Sequence, residues 1–215
     1  MKLLIAIPCM DMVHTPFFKS VISMRCPADI QAEFTISSGS LVYDSRNLLA
    51  KKAIEHGFDR VLWLDSDMEF QSDLLLRMNE DIDSGLDYVS GLYFKRKPPI
   101  NPVVYKAVGL TPEADGKSFT PYAHSFEEYP EDGLFEIKAS GFGAVMTTVD
   151  LLRRVQKEFG LPFAPVNGFG EDLSFCLRVT ELGVKMWCDS RIKLGHIGYY
   201  NYNEDVYREL KKDGN

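Results

Sequence analysis

The chain has 215 residues, of which 45% are hydrophobic and 26% are charged, as expected for a globular protein with one sizeable core. Its 24 Lys and Arg residues against 31 Asp and Glu residues give a formal net charge of −7, which argues against general nucleic-acid binding. The single basic cluster, Lys95-Arg96-Lys97, is interpreted as a solvated edge. No C-x-x-C pair occurs among the four cysteines, so we expect free thiols rather than a zinc site.

Strands and helices alternate through the first half of the chain. An apolar run over residues 3–7 predicts a first strand that stops at Pro8, and it is shorter than the roughly 7 to 15 apolar residues of an export signal. A helix, a second strand over 33–37, a long helix and a third strand over 61–64 follow. This order predicts a mostly parallel sheet with ligands at the carboxyl ends of its strands.

The second half of the chain begins with a helix after Ser72, a strand over 87–94 and a proline-rich break over 97–102. Residues 103–130 have no regular pattern, and they are interpreted as a surface segment that shapes a pocket or forms a lid, or as a disordered insertion. Strand signals return over 134–148. Further elements are predicted as helices over 149–159, from Glu171 and over 203–212, and as a short strand over 184–187.

Two carboxylates follow the third strand directly. Because side chains alternate along a strand, Asp65 and Asp67 leave it on the same side. Like charges this close are costly beside an apolar sheet unless a cation lies near them. A solvated acidic turn is the alternative interpretation, but the paired carboxylates favour a divalent metal site.

Three later stretches carry further candidate residues. Gly141 and Gly143 would allow a sugar or phosphate to approach the main chain, although a simple bend explains them equally well. Glu171 and Asp172 open a helix, where acids also stabilise the helix dipole without any other role. His196 has glycines nearby that leave its ring free to reach a ligand, although a lone histidine is usually structural.

The order of these motifs resembles that of GT-A fold glycosyltransferases, in particular the family 2-like enzymes that transfer a sugar from a nucleotide diphosphate. The likeness covers residues 1–198, and its strongest parts are the Asp-x-Asp after a strand and the Glu-Asp helix start. It implies an α/β fold with a Rossmann-like, mostly parallel sheet flanked by helices and a small antiparallel C-terminal part. We expect one domain, with a nucleotide-binding half over 1–95 and an acceptor-side half over 96–215.

The resemblance also implies roles for individual residues. A metal ion, Mn²⁺ or Mg²⁺, is expected at Asp65, Asp67 and His196. The nucleotide- and sugar-contacting residues are expected to be Ile7, Pro8, Asp44, Arg46, Asn47, Asp65, Ser66 and Gly141. Asp172 is the expected base toward the acceptor hydroxyl, with Glu171 orienting the acceptor or exchanging roles with it, so that transfer inverts the anomeric centre. Arg46 and Arg178 are candidates for offsetting the diphosphate charge.

Two other functions fit part of the pattern. A non-catalytic nucleotide-sugar or metal-binding module would use the same acids without turnover. A nucleotidyltransferase of related fold would normally carry a glycine-rich, basic loop after its first strand, where this chain has Met10-Asp11-Met12. The acceptor is left open among a glycan, a lipid, a protein and a modified nucleobase. No apolar run approaches the roughly 20 residues of a membrane span, so we predict a cytoplasmic protein without a transmembrane segment.

Overall fold

The computed structural model describes residues 1–39, 41–114, 117–198 and 201–212. Its elements, in chain order, are β1 (Lys2–Cys9), α1 (Thr15–Ser23), β2 (Gln31–Ser38), α2 (Val42–Glu55), β3 (Arg60–Leu64), β4 (Met68–Glu69), α3 (Leu74–Asp83), β5 (Tyr88–Leu92), β6 (Val104–Pro112), β7 (Phe119–Ser125), β8 (Leu134–Ile137), β9 (Ala139–Ser140), β10 (Ala144–Thr148), α4 (Val149–Phe159), α5 (Glu171–Glu181), β11 (Met186–Lys193), β12 (Gly195–Ile197), β13 (Asn201–Tyr202) and α6 (Glu204–Lys212).

A seven-stranded sheet in the order β2-β1-β3-β10-β5-β11-β8 forms the centre of the described structure. β2, β1, β3, β5 and β11 run in one direction, whereas β10 and the edge strand β8 run against them. Two small antiparallel sheets accompany it, one of β13, β12 and β4 and one of β7, β6 and β9. The predicted α/β class, with its mostly parallel sheet and small antiparallel C-terminal part, is confirmed.

Helices cover both faces of the central sheet. Because side chains alternate along a strand, Leu4 and Ala6 of β1 join one apolar cluster, which also contains residues of α2, α4 and α5. Leu3 and Ile5 of the same strand join a second cluster with residues of α1 and α3. None of the described helices combines the length and the apolarity that a membrane crossing requires. This finding does not test the predicted cytoplasmic location.

The sequence predicted that the first strand stops at Pro8, but β1 continues through Pro8 to Cys9. The carbonyl oxygen of Cys9 accepts a hydrogen bond from the Gly39 N–H at 3.2 Å, so Cys9 faces the β2 side. Pro8, one residue earlier, faces the opposite neighbour, β3, whose pairing with β1 ends at Ala6 and Trp63. The missing N–H of Pro8 therefore costs the sheet no hydrogen bond.

The expected lack of regular structure over residues 103–130 was wrong, because β6 and β7 form an antiparallel hairpin there, with a register shift between Tyr105 and Ala107. The predicted role of this segment in shaping a pocket or forming a lid stays a prediction. β7 pairs with β6 alone within the described sheet, so Pro121 is tolerated on an edge strand. Both faces of the hairpin are partly exposed, so the sequence lacks the alternation that marks a half-buried strand. β6 also pairs with β9 through Val104 and Ser140, which attaches the hairpin to the core.

Candidate functional site

The turn after β3 carries the acidic pair and is fixed by backbone hydrogen bonds to neighbouring strands. The Asp65 N–H donates to the carbonyl oxygen of Gly143 at 3.0 Å, just before β10 begins. The Ile197 N–H of β12 donates to the carbonyl oxygen of Asp67 at 2.7 Å. Because β10 runs antiparallel to β3, its start meets the carboxyl end of β3. The topology therefore presents both acids at the sheet edge where α/β folds bind ligands.

Arg46 of α2 joins this turn to the start of α5. Its Nη2 lies 2.7 Å from Asp65 Oδ1, and its Nε lies 3.3 Å from Glu171 Oε1. The guanidinium is 2% exposed and sits 5.0 Å from the centre of the Phe142 ring. Burial alone would lower the pKa of Arg46, but the nearby carboxylates raise it above its ordinary value. Burial raises the pKa of Asp65, and Arg46 offsets only part of that effect.

Asp67 has different partners. Its Oδ2 lies 2.8 Å from Arg96 Nη1 and 3.5 Å from His196 Nε2. His196 Nδ1 lies 2.8 Å from the carbonyl oxygen of Phe94, which can only accept a hydrogen bond, so we assign a proton to Nδ1. Burial alone would raise the pKa of Asp67, but His196 and Arg96 lower it below its ordinary value. The carboxylate is thus ionised and surrounded by cationic or metal-ligating groups.

Asp172 lies in the first turn of α5, beside Glu171. One of its oxygens, Oδ1, accepts a hydrogen bond from the Leu173 N–H at 2.7 Å. Burial, followed by the charge of Glu171, raises the pKa of Asp172 to about 6. A carboxylate with a pKa in this range can accept a proton near neutral pH.

A cleft of about 450 Å³ opens beside these groups. This volume lies within the range of small-molecule sites. Its lining contains six of the predicted site residues together with five that the sequence did not single out: Pro8, Arg46, Asp65, Ser66, Asp67 and Glu171, and Cys9, Met10, Gly39, Val42 and Ser45. The lining thus combines apolar side chains with three carboxylates and one arginine.

Six of the predicted site residues lie outside this lining: His196 and Asp172, described above, and Ile7, Asp44, Asn47 and Gly141. Ile7 is 3% exposed and packs in the core behind the cleft. Asp44 is exposed in the first turn of α2. Asn47 Oδ1 accepts a hydrogen bond from the Phe163 N–H at 2.9 Å. A Cβ atom on Gly141 would lie 1.9 Å from the hydroxyl of Tyr93, so packing alone requires glycine there. Ligand contacts at these positions stay predictions.

The contacts of Arg178 and Arg96 differ from those that the sequence suggested, because Arg178 binds backbone carbonyls and Arg96 pairs with a site carboxylate. Arg178 donates to the carbonyl oxygens of Pro162 and Ala164 at 3.0 and 2.7 Å and so stabilises the loop before α5. Arg96, from the cluster interpreted as a solvated edge, is an ion-pair partner of Asp67 instead. The run of basic residues before the proline-rich break was the sequence feature that could have drawn attention to Arg96. No local pattern, however, indicated that Arg96 would pair with Asp67.

The side chains around Asp67 offer few protein ligands to a divalent ion. Among the described residues, no group of three or more His, Cys, Asp and Glu side chains is arranged as a metal cluster. Asp67 and His196 nevertheless form a potential donor pair, because the Phe94 carbonyl engages Nδ1 and leaves Nε2 facing Asp67 Oδ2 at 3.5 Å, where a metal ion would replace the proton between the two side chains. The Phe94 carbonyl orients the ring as outer partners of metal-ligating histidines do. Two protein ligands suffice for a hard cation that keeps several waters or binds phosphate oxygens.

Comparison with known proteins was made at the level of sequence and of structure. No family model and no curated protein matches the sequence. Among solved structures, A197 from STIV matches with a TM-score of 0.65 and 19% identity, over 92% of this chain and 86% of that one. GalNAc-T7, solved with UDP, GalNAc and Mn²⁺, matches with a TM-score of 0.60 and 11% identity, over 94% of this chain and 44% of that one. TarS 1–349 of S. aureus gives a TM-score of 0.49 and 14% identity, over 83% and 55%.

The chain has a GT-A fold, as the resemblance implied. It spans less than half of the GalNAc-T7 chain, so the activity of that protein is not carried over with the fold. The division into a nucleotide-binding and an acceptor-side half stays a prediction.

Proposed function

We propose that the protein is a metal-dependent glycosyltransferase that moves a sugar from a nucleotide-diphosphate sugar to an acceptor hydroxyl with inversion. The observation that carries the proposal is a GT-A fold in which one member of a metal-ligating pair lines the cleft at the carboxyl end of β3 and a basic carboxylate adjoins Glu171, another residue of the lining. Asp67 and His196 supply the pair, and Asp172 supplies the carboxylate. A UDP- and Mn²⁺-containing structure of the same fold, GalNAc-T7, supports a nucleotide-sugar donor and a divalent ion.

Asp67 and His196 would hold the ion, Mn²⁺ or Mg²⁺, with Asp65 close by but paired with Arg46. A divalent cation there supplies positive charge to the departing diphosphate. His196 is held for this purpose by the Phe94 carbonyl, so its ring does not need to reorganise. The imidazole ligand favours Mn²⁺ over Mg²⁺.

Asp172 would act on the acceptor. In the proposed reaction the acceptor oxygen bonds to the anomeric carbon, its proton passes to Asp172, and the bond from that carbon to the diphosphate oxygen breaks. The raised pKa of about 6 makes Asp172 a stronger base than an ordinary aspartate. Glu171 keeps Arg46 in place and contributes to that raised pKa through its own charge.

The test is a thermal-shift panel of UDP, GDP, CDP and TDP and their common sugar conjugates, with and without Mn²⁺. A ligand at 100 times its Kd stabilises the folded state by about 2.7 kcal/mol, which for a chain of this size raises the Tm by about 5 to 10 °C. We expect one diphosphate to give a shift that requires Mn²⁺ and is lost in Asp67→Asn. The same donor is then assayed for release of its nucleoside diphosphate.

Asp29→Asn is the matched control, because Asp29 is exposed and precedes β2, at the end of the sheet opposite the cleft. It should bind and turn over the donor as the parent chain does. Metal-dependent binding without any turnover would instead identify a non-catalytic nucleotide-sugar module. A panel in which no diphosphate shifts the Tm would contradict the proposal.

A further inference from the structure

Arg96 and His196 both approach one oxygen of Asp67. Arg96 Nη1 lies 2.8 Å from Oδ2, and His196 Nε2 lies 3.5 Å from the same atom. Arg96 also donates to the carbonyl oxygen of Ile197 at 3.2 Å. Its guanidinium therefore lies against the donor pair to which the metal ion is assigned above.

A divalent ion and Arg96 cannot share this oxygen at low cost. Oxygen ligands lie about 2.0 to 2.6 Å from Mg²⁺ or Ca²⁺, so an ion on Oδ2 would stand within a few ångströms of the guanidinium. Like charges at that separation repel strongly in a partly buried cleft. The geometry thus implies that the two cations alternate on Asp67.

Arg96 is free to leave, in contrast to Arg46. Arg46 is 2% exposed and is held by Asp65 and Glu171 together. The Arg96 side chain is 45% exposed and lies in the segment between β5 and β6. A long side chain at the rim can turn into the cleft without disturbing the core.

We propose that Arg96 is a displaceable counter-ion: it neutralises Asp67 in the absence of metal, yields Asp67 to the metal ion, and then binds the diphosphate of the donor. The proposal rests on the proposed function. A released guanidinium would stand beside a diphosphate whose oxygens it can contact in a bidentate manner. Metal and diphosphate would then bind cooperatively, because each favours the same position of Arg96.

Arg96→Gln tests separately whether Arg96 competes with the metal ion for Asp67 and whether it binds the diphosphate, since glutamine keeps polar contacts and loses the charge. Calorimetric titrations with MnCl₂ alone and with the preformed Mn²⁺–pyrophosphate complex are compared for the parent chain and the variant. Mn²⁺ alone should bind about threefold more tightly to Arg96→Gln, the scale of a lost half-exposed ion pair. The Mn²⁺–pyrophosphate complex should bind about tenfold more weakly, the scale of one charge-assisted contact.

Arg153→Gln, at an exposed position of α4, is the matched control and should leave both affinities unchanged. A loss of packing at Arg96 would weaken both titrations, so tighter binding of Mn²⁺ alone is the distinguishing result. Unchanged or weaker binding of Mn²⁺ to Arg96→Gln would overturn the inference. If Mn²⁺ binds the parent chain and Asp67→Asn abolishes this binding, the metal site and the proposed function stand even when the inference about Arg96 fails. If Mn²⁺ binds neither the parent chain nor any variant, both are overturned.

Discussion

Two of the clusters in which an arginine joins two carboxylates differ in their relation to the 450 Å³ cleft, because one of them lines it and the other does not. In the cleft cluster, Arg46 lies between Asp65 and Glu171. In the second cluster, called the covered cluster because both of its carboxylates are buried, the 40% exposed Arg191 of β11 lies 2.8 Å from Asp189 of the same strand and 3.2 Å from Asp81 of α3.

The two clusters differ in what satisfies their charge. Asp189 is 0% exposed, and Asp81 keeps one buried oxygen, Oδ2, without a hydrogen-bond partner among the described residues. Burial, followed by the charge of Asp189, raises the pKa of Asp81 to about 7. The covered cluster can therefore relieve its charge with a proton, whereas the cleft cluster has room for a ligand. A raised carboxylate pKa therefore marks a candidate catalytic group only where substrate can reach it.

The largest effect is expected at Asp172, which adjoins Glu171 of the cleft lining. Asp172→Asn should lower kcat by about 10² to 10⁴, because general-base catalysis contributes on that scale. In the parent chain kcat should fall as the pH drops below about 6, since the base must be deprotonated. Steady-state kinetics from pH 5 to 8 measure both effects.

The binding of the nucleoside diphosphate with Mn²⁺ should survive in Asp172→Asn, which separates a catalytic role from a structural one. A variant that keeps full activity and the acid limb of the pH profile would remove Asp172 from the base role. Asp81→Asn serves as the comparison from the covered cluster and should leave kcat unchanged.

The next effect concerns stability at Arg46. Arg46→Gln leaves Asp65 and Glu171 without their shared cation and should lower the free energy of unfolding by about 3 kcal/mol, as expected when one partner of a buried ion pair is removed. Urea denaturation measures the loss. Arg153→Gln, exposed on α4, should change it by less than about 0.5 kcal/mol.

A second substitution tests the cause of that loss. Adding Glu171→Gln to Arg46→Gln should recover part of the stability, because one of the uncompensated charges is removed. Additive losses in the double variant would show that Arg46 acts through packing on Phe142 instead.

The smallest effect is expected in the covered cluster, as a pH dependence of stability. The folded-state pKa of Asp81 is raised to about 7, whereas an unfolded aspartate has a pKa of about 3.9. Protonated Asp81 therefore contributes to the free energy of unfolding. This contribution is full below the unfolded pKa and is lost as the pH rises through about 7.

Asp81→Asn cannot lose a proton, so its Tm should exceed that of the parent chain at pH 8 and match it more closely at pH 5. Thermal unfolding at several pH values measures this difference. Parallel Tm profiles for the two proteins would show that Asp81 and Asp189 do not share a proton in the folded chain.

Local patterns in the sequence were sufficient for most of the elements that carry the site. The apolar run over 61–64 ends at Asp65 and Asp67 as predicted, and β3 is Arg60–Leu64. The helix predicted over 149–159 is α4, with the Thr148 hydroxyl accepting from the Leu151 N–H at 3.1 Å. α5 begins at Glu171, so both candidate acids lie in its first turn. These features are local because apolar periodicity, capping residues and glycines act over a few neighbouring positions.

Local patterns failed where exposure hid the periodicity or where a helix turned an apolar side chain outward. The hairpin of β6 and β7 has no buried face to impose alternation. Ile22 of α1 and Leu48 of α2 are apolar residues of helices, but they are 67% and 62% exposed. Phe17 of α1 and Leu49 of α2 are buried.

The amino-acid pattern alone is enough to locate the strand that ends in two acids and the helix that begins with two more, and their order indicates the fold. The partners of those acids are set by the folded chain. Arg46 contacts Glu171, which lies 125 residues away in the sequence. Arg96 contacts Asp67 because β3 and β5, which precede them, end at the same end of the sheet. Such pairings depend on which strands become neighbours, and strand order follows from the packing of the whole core rather than from any short run of residues.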